Sequence, residues 1–205
     1  KAGKVTDPIY NHPKDPLDVY TEDIVTYTLR VYNEAELSGY ALKVIDDIPE
    51  GLQYLPENPT NIKYGWKMYK ETDKISVDSI VFDKKIYVPT ENREEANVVV
   101  TEYLKDELIK GYDKATMTTL DYKDVELVFE VIESAEPNKV ITNYAQIVDD
   151  ADENKKEVVD RDSTPNEWNE GEDDQDIEKI KLRYFDLSLR KFITNVNNTP
   201  VTSRA

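Results

Sequence analysis

The chain has little of the material from which proteins build redox, zinc or phosphate sites. Its 205 residues include no Cys, one His and only six Gly. These shortages exclude disulfides, thiolate catalysis and zinc–thiolate sites, and they leave little for imidazole chemistry or phosphate-binding loops. No run approaches the roughly 18 apolar residues that a transmembrane helix needs. We therefore expect no ordinary nucleotide-dependent enzyme and no membrane insertion in this segment.

Positive charge is also scarce, because 26 Lys and Arg residues face 43 Asp and Glu residues, for a net charge of −17. Such a surface repels nucleic acids and anionic membranes, so nucleic acid is not an expected partner. Hydrophobic residues still make up 39% of the chain, and 14 residues are Tyr. The composition is sufficient for a folded core, and global disorder is not expected.

Alternation of apolar and polar residues predicts a mainly β protein. It is clearest over 24–32, where Val25, Tyr27, Leu29 and Val31 share one face. Further strands are predicted at 40–48, 62–69, 78–82, 85–88, 123–132, 139–148 and 180–193, and one short helix at 101–110. Seven or more short strands with turn signals between them indicate an immunoglobulin-like β-sandwich.

Three polar residues interrupt the apolar faces of these predicted strands. Asn143 falls in phase with Ile141 and Ile147, Lys191 with Leu187 and Leu189, and Asp46 with Val44 and Ile48. If these faces form the core, the sandwich buries an amide, an amine and a carboxyl group. A lone buried charge costs several kcal/mol unless it is paired, so one triad is more economical than three separate buried groups.

Burial would lower the pKa of Lys191 and raise that of Asp46, leaving a neutral amine beside a protonated acid. The amine is then able to attack the side-chain carbonyl of Asn143, while the acid polarises that carbonyl and transfers protons as ammonia leaves. The product is an internal Lys–Asn isopeptide bond. In the alternative interpretation a bulge shifts the strand phase. Lys191 then lies at a sheet edge, Asn143 caps a bulge, and Asp46 bonds its own turn.

Several segments resemble a known family. DIVTYTLRVYNE (23–34), VIDDIPEGLQYLPEN (44–58), ITNYAQI (141–147) and DSTPNEWNEGEDDQD (162–176) are similar to the conserved repeat domain of Gram-positive cell-surface proteins. They resemble more loosely the isopeptide-forming domains of fimbrial shafts and adhesins. The resemblance implies an Asp before an L/I-P turn and an Asn in an N-x-A pattern on the last strand, which Asp46 and Asn143 match.

The lysine departs from this family pattern, which implies a Lys on the first strand. The best candidate is Lys191 in FDLSLRKFIT (185–194), near the other end of the chain. This segment resembles the opening strand of a following repeat, so we expect the chain to be one period of a tandem array. Lys191 then completes a neighbouring unit or, if the chain closes back, its own. Lys4 is the alternative lysine, and a flexible tail is the alternative interpretation of the segment.

The acidic charge is concentrated in residues 149–176, which hold 13 acidic and 3 basic residues. We expect a long acidic loop there. Hard oxygen ligands without His or Cys favour Ca²⁺, although the pattern is not that of an EF-hand. The candidate ligands are Asp149, Asp150, Asp152, Asn154, Asp160, Asp162, Asp173, Asp174 and Asp176. The alternative is a solvated acidic loop without a cation.

These observations predict a linker or donor segment at 1–16, a sandwich domain at 17–182 and a strand at 183–205 that belongs with the next repeat. The expected function is structural: a repeat of an extracellular stalk or filament on a Gram-positive-type bacterium, stabilised by an isopeptide bond and calcium, with neighbouring copies as partners. The protein would not be an enzyme beyond one self-directed turnover. The alternatives are an adhesin domain that binds a host protein or glycan and, ranked last, a carbohydrate-active module.

Overall fold

The structure is a computed structural model that describes residues 14–71, 87–89, 98–133, 136, 138–156 and 174–201. Strands dominate it. They are β1 (Leu17–Val19), β2 (Ile24–Tyr32), β3 (Gly39–Asp47), β4 (Leu52–Tyr54), β5 (Lys67–Glu71), β6 (Tyr87–Pro89), β7 (Val98–Thr101), β8 (Tyr122–Val131), β9 (Val140–Asp152), β10 (Gln175–Leu182), β11 (Asn195–Val196) and β12 (Thr199–Pro200). The prediction of a mainly β protein is confirmed.

Two sheets share one core. The larger has the strand order β1-β10-β9-β3-β7-β5-β6, and the smaller has the order β2-β8-β4. All pairs are antiparallel except β1 with β10, which run parallel. Phe129 and Leu127 of β8 are fully buried in the same cluster as Val44 of β3 and Ile141 of β9. This arrangement is consistent with a β-sandwich, because each sheet buries one face against the other.

The predicted strand at 62–69 is wrong over its first half. Residues Pro59–Lys63 form the short helix α1, whose N-cap Asn58 accepts a hydrogen bond from the Thr60 amide at 2.9 Å. Asn61 is fully buried and bonds Leu55 O, Val128 O and Val128 N across to β8. An N-cap Asn followed by Pro at the first helical position is a helix start that outweighs the alternation after it.

Two other predicted elements also differ. The helix predicted at 101–110 is only one 3-10 turn at Tyr103–Asp106, which buries Leu104 but leaves Leu108 partly exposed. The strand predicted at 180–193 begins earlier and ends sooner, at Gln175–Leu182, because residues from Gln175 onward pair with β9.

The strand predicted at 78–82 lies outside the described residues. In the described part of the chain, no helix has the length and apolarity to cross a membrane.

Candidate functional site

Asp46 and Asn143 lie together in the core on neighbouring strands of the seven-stranded sheet. β3 pairs with β9 so that Asp46 stands opposite Ala145, two residues from Asn143. Asp46 is 1% exposed and Asn143 is 3% exposed. The Asn143 Nδ2 donates hydrogen bonds to Asp46 Oδ1 at 2.6 Å and to the Asp47 carbonyl oxygen at 2.9 Å. The sheet register therefore places an amide and a carboxyl group in direct contact inside the protein.

The protonation of Asp46 is set by its surroundings. Burial raises its pKa well above the ordinary range, the hydrogen bond from Asn143 opposes that shift, and the negative charge of Asp47 adds to it. Its second oxygen, Oδ2, is buried and has no hydrogen-bond partner among the described residues. A buried carboxyl with one unsatisfied oxygen is costly, so this oxygen favours holding a proton or receiving a donor.

Tyr27 on β2 of the opposite sheet contributes a second unsatisfied polar atom. Its hydroxyl is buried and lacks a hydrogen-bond partner within the described ranges. Burial raises the pKa of Tyr27, and the negative charges of Asp46 and Glu178 raise it further. The ring packs edge-on against Phe129 with centroids 6.0 Å apart. The core thus holds a buried oxygen on each of these two residues, Tyr27 and Asp46, that a further polar group would satisfy.

Sequence reasoning placed Tyr27 on the core face but gave it no role beyond packing. A Tyr at an apolar position of a strand is usually core, and its hydroxyl normally finds a partner when buried. Only the structure shows that this one does not. The sequence carries no signal that distinguishes Tyr27 from the other core tyrosines, such as Tyr54, whose hydroxyl donates to Trp66 O.

Lys191 does not join Asp46 and Asn143 within the described chain. β10 ends at Leu182, and Lys191 is exposed in a stretch without strand pairing. Its apolar neighbours in the same phase are also exposed: Phe185 82%, Leu187 79%, Leu189 92% and Ile193 61%. The structure therefore brings together two of the three predicted groups. The alternative, Lys4, lies outside the described residues.

The contact between Asp46 and Asn143 bears on the proton transfer that an attack on the Asn143 amide would need. Oδ1 lies against the amide nitrogen, which is the leaving group when an amine attacks the Asn143 carbonyl carbon. In such a reaction a protonated Asp46 would be close enough to give that nitrogen a proton as ammonia leaves. The sequence also predicts that Asp46 polarises the Asn143 side-chain carbonyl. Among the described residues, no hydrogen bond joins Asp46 to that carbonyl oxygen.

The acidic segment is not a loop over its whole predicted length. Asp149, Asp150 and Asp152 lie in β9 and Asp176 in β10, because both strands extend into the segment through their pairing with neighbours. The connection between the strands is therefore 153–174. Asp152 Oδ1 accepts hydrogen bonds from the backbone amides of Lys156 and Asn154, which lower the pKa of Asp152.

The remaining candidate ligands are dispersed or undescribed. Asp174 accepts from Gln146, and Asp176 forms an ion pair with Lys14 at 2.8 Å. Asp160, Asp162 and Asp173 lie outside the described residues. Within the described ranges, no three acidic or His side chains are grouped to hold a metal ion. The calcium site remains a prediction.

Calcium binding predicts a melting temperature that depends on a chelator. At a free calcium concentration about 100 times the dissociation constant, binding stabilises the fold by about 2.7 kcal/mol, a shift of about 5–10 °C for a domain of this size. Calorimetry with EDTA and with excess Ca²⁺ measures the shift, and Mg²⁺ at equal ionic strength is the control. Identical melting curves in EDTA and Ca²⁺ would remove the calcium site.

Comparison with known proteins adds no family to this description. No family model matches the chain, and no curated protein matches it. The resemblance of the four quoted segments to surface-protein repeats therefore stays a prediction. What carries a functional interpretation is the buried pair formed by Asp46 and Asn143, together with the unsatisfied atoms around it.

Proposed function

We propose that the chain is a structural unit of an extracellular stalk or filament on a Gram-positive-type bacterium, an immunoglobulin-like sandwich that accepts an isopeptide cross-link from a lysine. The observation that carries the proposal is the buried contact of 2.6 Å between Asn143 Nδ2 and Asp46 Oδ1, with Asp46 Oδ2 unsatisfied. The raised pKa of Asp46 favours a protonated acid next to this amide, as the proposed reaction requires. We take Lys191 as the nucleophile, because the alternation of the sequence puts it in phase with the apolar residues of its segment.

The proposed reaction converts the Asn143 side-chain amide into a secondary amide. The neutral amine of Lys191 attacks the Asn143 carbonyl carbon, and the new C–N bond forms as the bond to Nδ2 breaks. Asp46 gives a proton to Nδ2 and takes one from the attacking nitrogen, so it ends the reaction in its starting state. Ammonia is the leaving group, and no oxidant, reductant or metal is required.

Such a bond suits a load-bearing role rather than turnover. The amide would tie the strand that carries Lys191 to β9 within the core, where neither a protease nor solvent reaches it. Each site reacts once, because Asn143 is consumed. The proposed chemistry therefore serves the protein's own construction and not an external substrate.

Intact mass tests this function directly. Each isopeptide bond removes ammonia, so about 17 Da should be missing from the sequence mass for every bond formed. A bond within one chain gives a monomer of reduced mass, whereas a bond between copies gives a ladder that survives boiling in detergent, with one loss per junction. A Lys191→Arg variant, which keeps the charge but not the nucleophile, is the matched control. Full-mass monomers of the unaltered chain would exclude the cross-link.

A further inference from the structure

The outer edge of β2 is open. β2 pairs with β8 on one side, and no strand among the described residues pairs with it on the other. Val131 N donates to Asp23 O, and Asn33 N donates to Asp121 O, so odd-numbered residues bond to β8. In an antiparallel ladder the even-numbered residues then direct their backbone groups outward. The N–H and C=O groups of Thr26 and Thr28 therefore face the open edge.

The core beneath this edge is incompletely covered. Val25, Tyr27 and Leu29 of β2 pack against the core cluster but remain only partly buried. Their partners one strand inward, Leu127 and Phe129, are 0% exposed. The core side chains of β2, an edge strand of the three-stranded sheet, are thus less buried than those of β8. This is expected where one more strand would complete the sheet. An edge with free backbone groups beside apolar side chains is a template for strand addition.

The segment 183–194 has the pattern of the missing strand. Its odd positions Phe185, Leu187, Leu189 and Ile193 form one apolar face, and that face is 61–92% exposed. Lys191 falls in the same phase, between Leu189 and Ile193. Exposing such an alternating face to water is unfavourable, so the segment is expected to have a binding partner.

We infer that segment 183–194 of a second copy of this chain adds to the open edge of β2, with its odd-numbered side chains turned into the core. The apolar face then covers Val25 and Leu29, and the lysine side chain extends into the space of about 10 Å between packed sheets. Its amine meets Tyr27 Oη and Asp46 Oδ2, two buried atoms that have no hydrogen-bond partner among the described residues. This inference deepens the proposed function, on which the role of Lys191 rests.

The occupant is a second copy because the chain's own segment leaves from the other sheet. Arg183 N donates to Val19 O at 2.8 Å, which continues the pairing of β10 with β1 at the edge of the seven-stranded sheet. Beyond that bond the chain is exposed as far as the β11–β12 hairpin. Since each copy carries one edge and one segment, the contact is head-to-tail and can repeat from copy to copy to build a filament.

Two full-length variants separate the halves of this contact. Thr28→Pro removes an outward N–H from the edge without removing a bond to β8, so it blocks the edge and leaves the segment free. Leu187→Asp places a charge on the apolar face of the segment and leaves the edge free. We expect each variant alone to be monomeric and a 1:1 mixture to form a heterodimer and nothing larger, measured by analytical ultracentrifugation.

Matched controls keep the outcome interpretable. Ser188→Asp adds the same charge on the opposite face of the segment and should associate like the unaltered chain, whereas Leu187→Asp should weaken association at least about tenfold. Thr26→Pro blocks the same edge of β2 at a second position. Near-ultraviolet circular dichroism shows whether every variant is folded. Equal association of Leu187→Asp and Ser188→Asp, or a mixture that stays monomeric, would overturn the inference.

The two proposals fail in different ways. A heterodimer that dissociates in boiling detergent supports strand addition and contradicts the isopeptide bond. A heterodimer that survives and lacks about 17 Da supports both. An unaltered monomer that lacks about 17 Da supports the bond but shows closure by the chain's own segment, which overturns the second copy as occupant.

Discussion

Replacing Asp46 by Asn should slow formation of the isopeptide bond at least about 100-fold, because a positioned acid–base group contributes about 10²–10⁴ to the rate of such a step. The substitution keeps the size of the side chain and an oxygen to accept from Asn143, but it removes the proton that must reach Nδ2 as ammonia leaves. Intact mass spectrometry of freshly purified and incubated protein measures the fraction of bonded chain.

Asp47→Asn is the matched control for this effect. Asp47 is the next residue of β3, and its contact with Asn143 is made by the backbone carbonyl, which the substitution preserves. We expect its bond to form at nearly the rate of the unaltered chain. Equal slowing of both variants would show that the loss of charge near the site, and not the proton of Asp46, is responsible.

The second large effect is the pH dependence of stability. Burial raises the pKa of Asp46 in the folded state, whereas the unfolded chain keeps a pKa of about 3.9. Between these two values the folded state holds a proton that the unfolded state has released. Stability due to this group is therefore present below about pH 3.9 and is lost as the pH rises through the folded pKa.

Asp46→Asn should abolish this component, so the variant gains stability relative to its parent as the pH rises. At the alkaline end of the range the gain should be about 1–3 kcal/mol, the usual cost of an unsatisfied buried polar group. Urea unfolding of Lys191→Arg and of the double variant measures it without interference from the cross-link. Other titrating groups are common to both proteins and cancel in the difference. A difference that stays constant with pH, or falls, would contradict the raised pKa.

The alternation of the sequence was sufficient to place Asp46 and Asn143 in the core. Asn143 and Asp46 were predicted to share faces with core residues, and both are buried there. The strand phase carries this information because side chains on a strand alternate with period two. What the phase does not contain is the register between β3 and β9, which brings the two residues together. That register depends on long-range pairing, including the irregularity between Ala41 and Val44.

The predicted strand bounds are wrong where hydrogen bonding between strands outweighs the local amino-acid composition. β10 begins in the acidic segment, with Gln175 and Asp176, because β9 offers these residues hydrogen bonds. The same strand stops at Leu182 although the apolar alternation continues to Ile193, because no described strand pairs with the continuation. The local pattern thus predicts an apolar face in segment 183–194, but it does not say which strand that face would pack against.

The parallel pairing of β1 with β10 determines how the unit would respond to pulling. Leu17, Asp18 and Val19 stand opposite Ile180, Lys181 and Leu182 and run in the same direction. Tension applied before β1 and after β10 draws the two strands past each other along their length, so the hydrogen bonds between them share the load and must break together. An antiparallel pair loaded at its adjacent ends would open one bond at a time. The parallel pair of β1 and β10, at one edge of the seven-stranded sheet, would therefore resist such tension in shear.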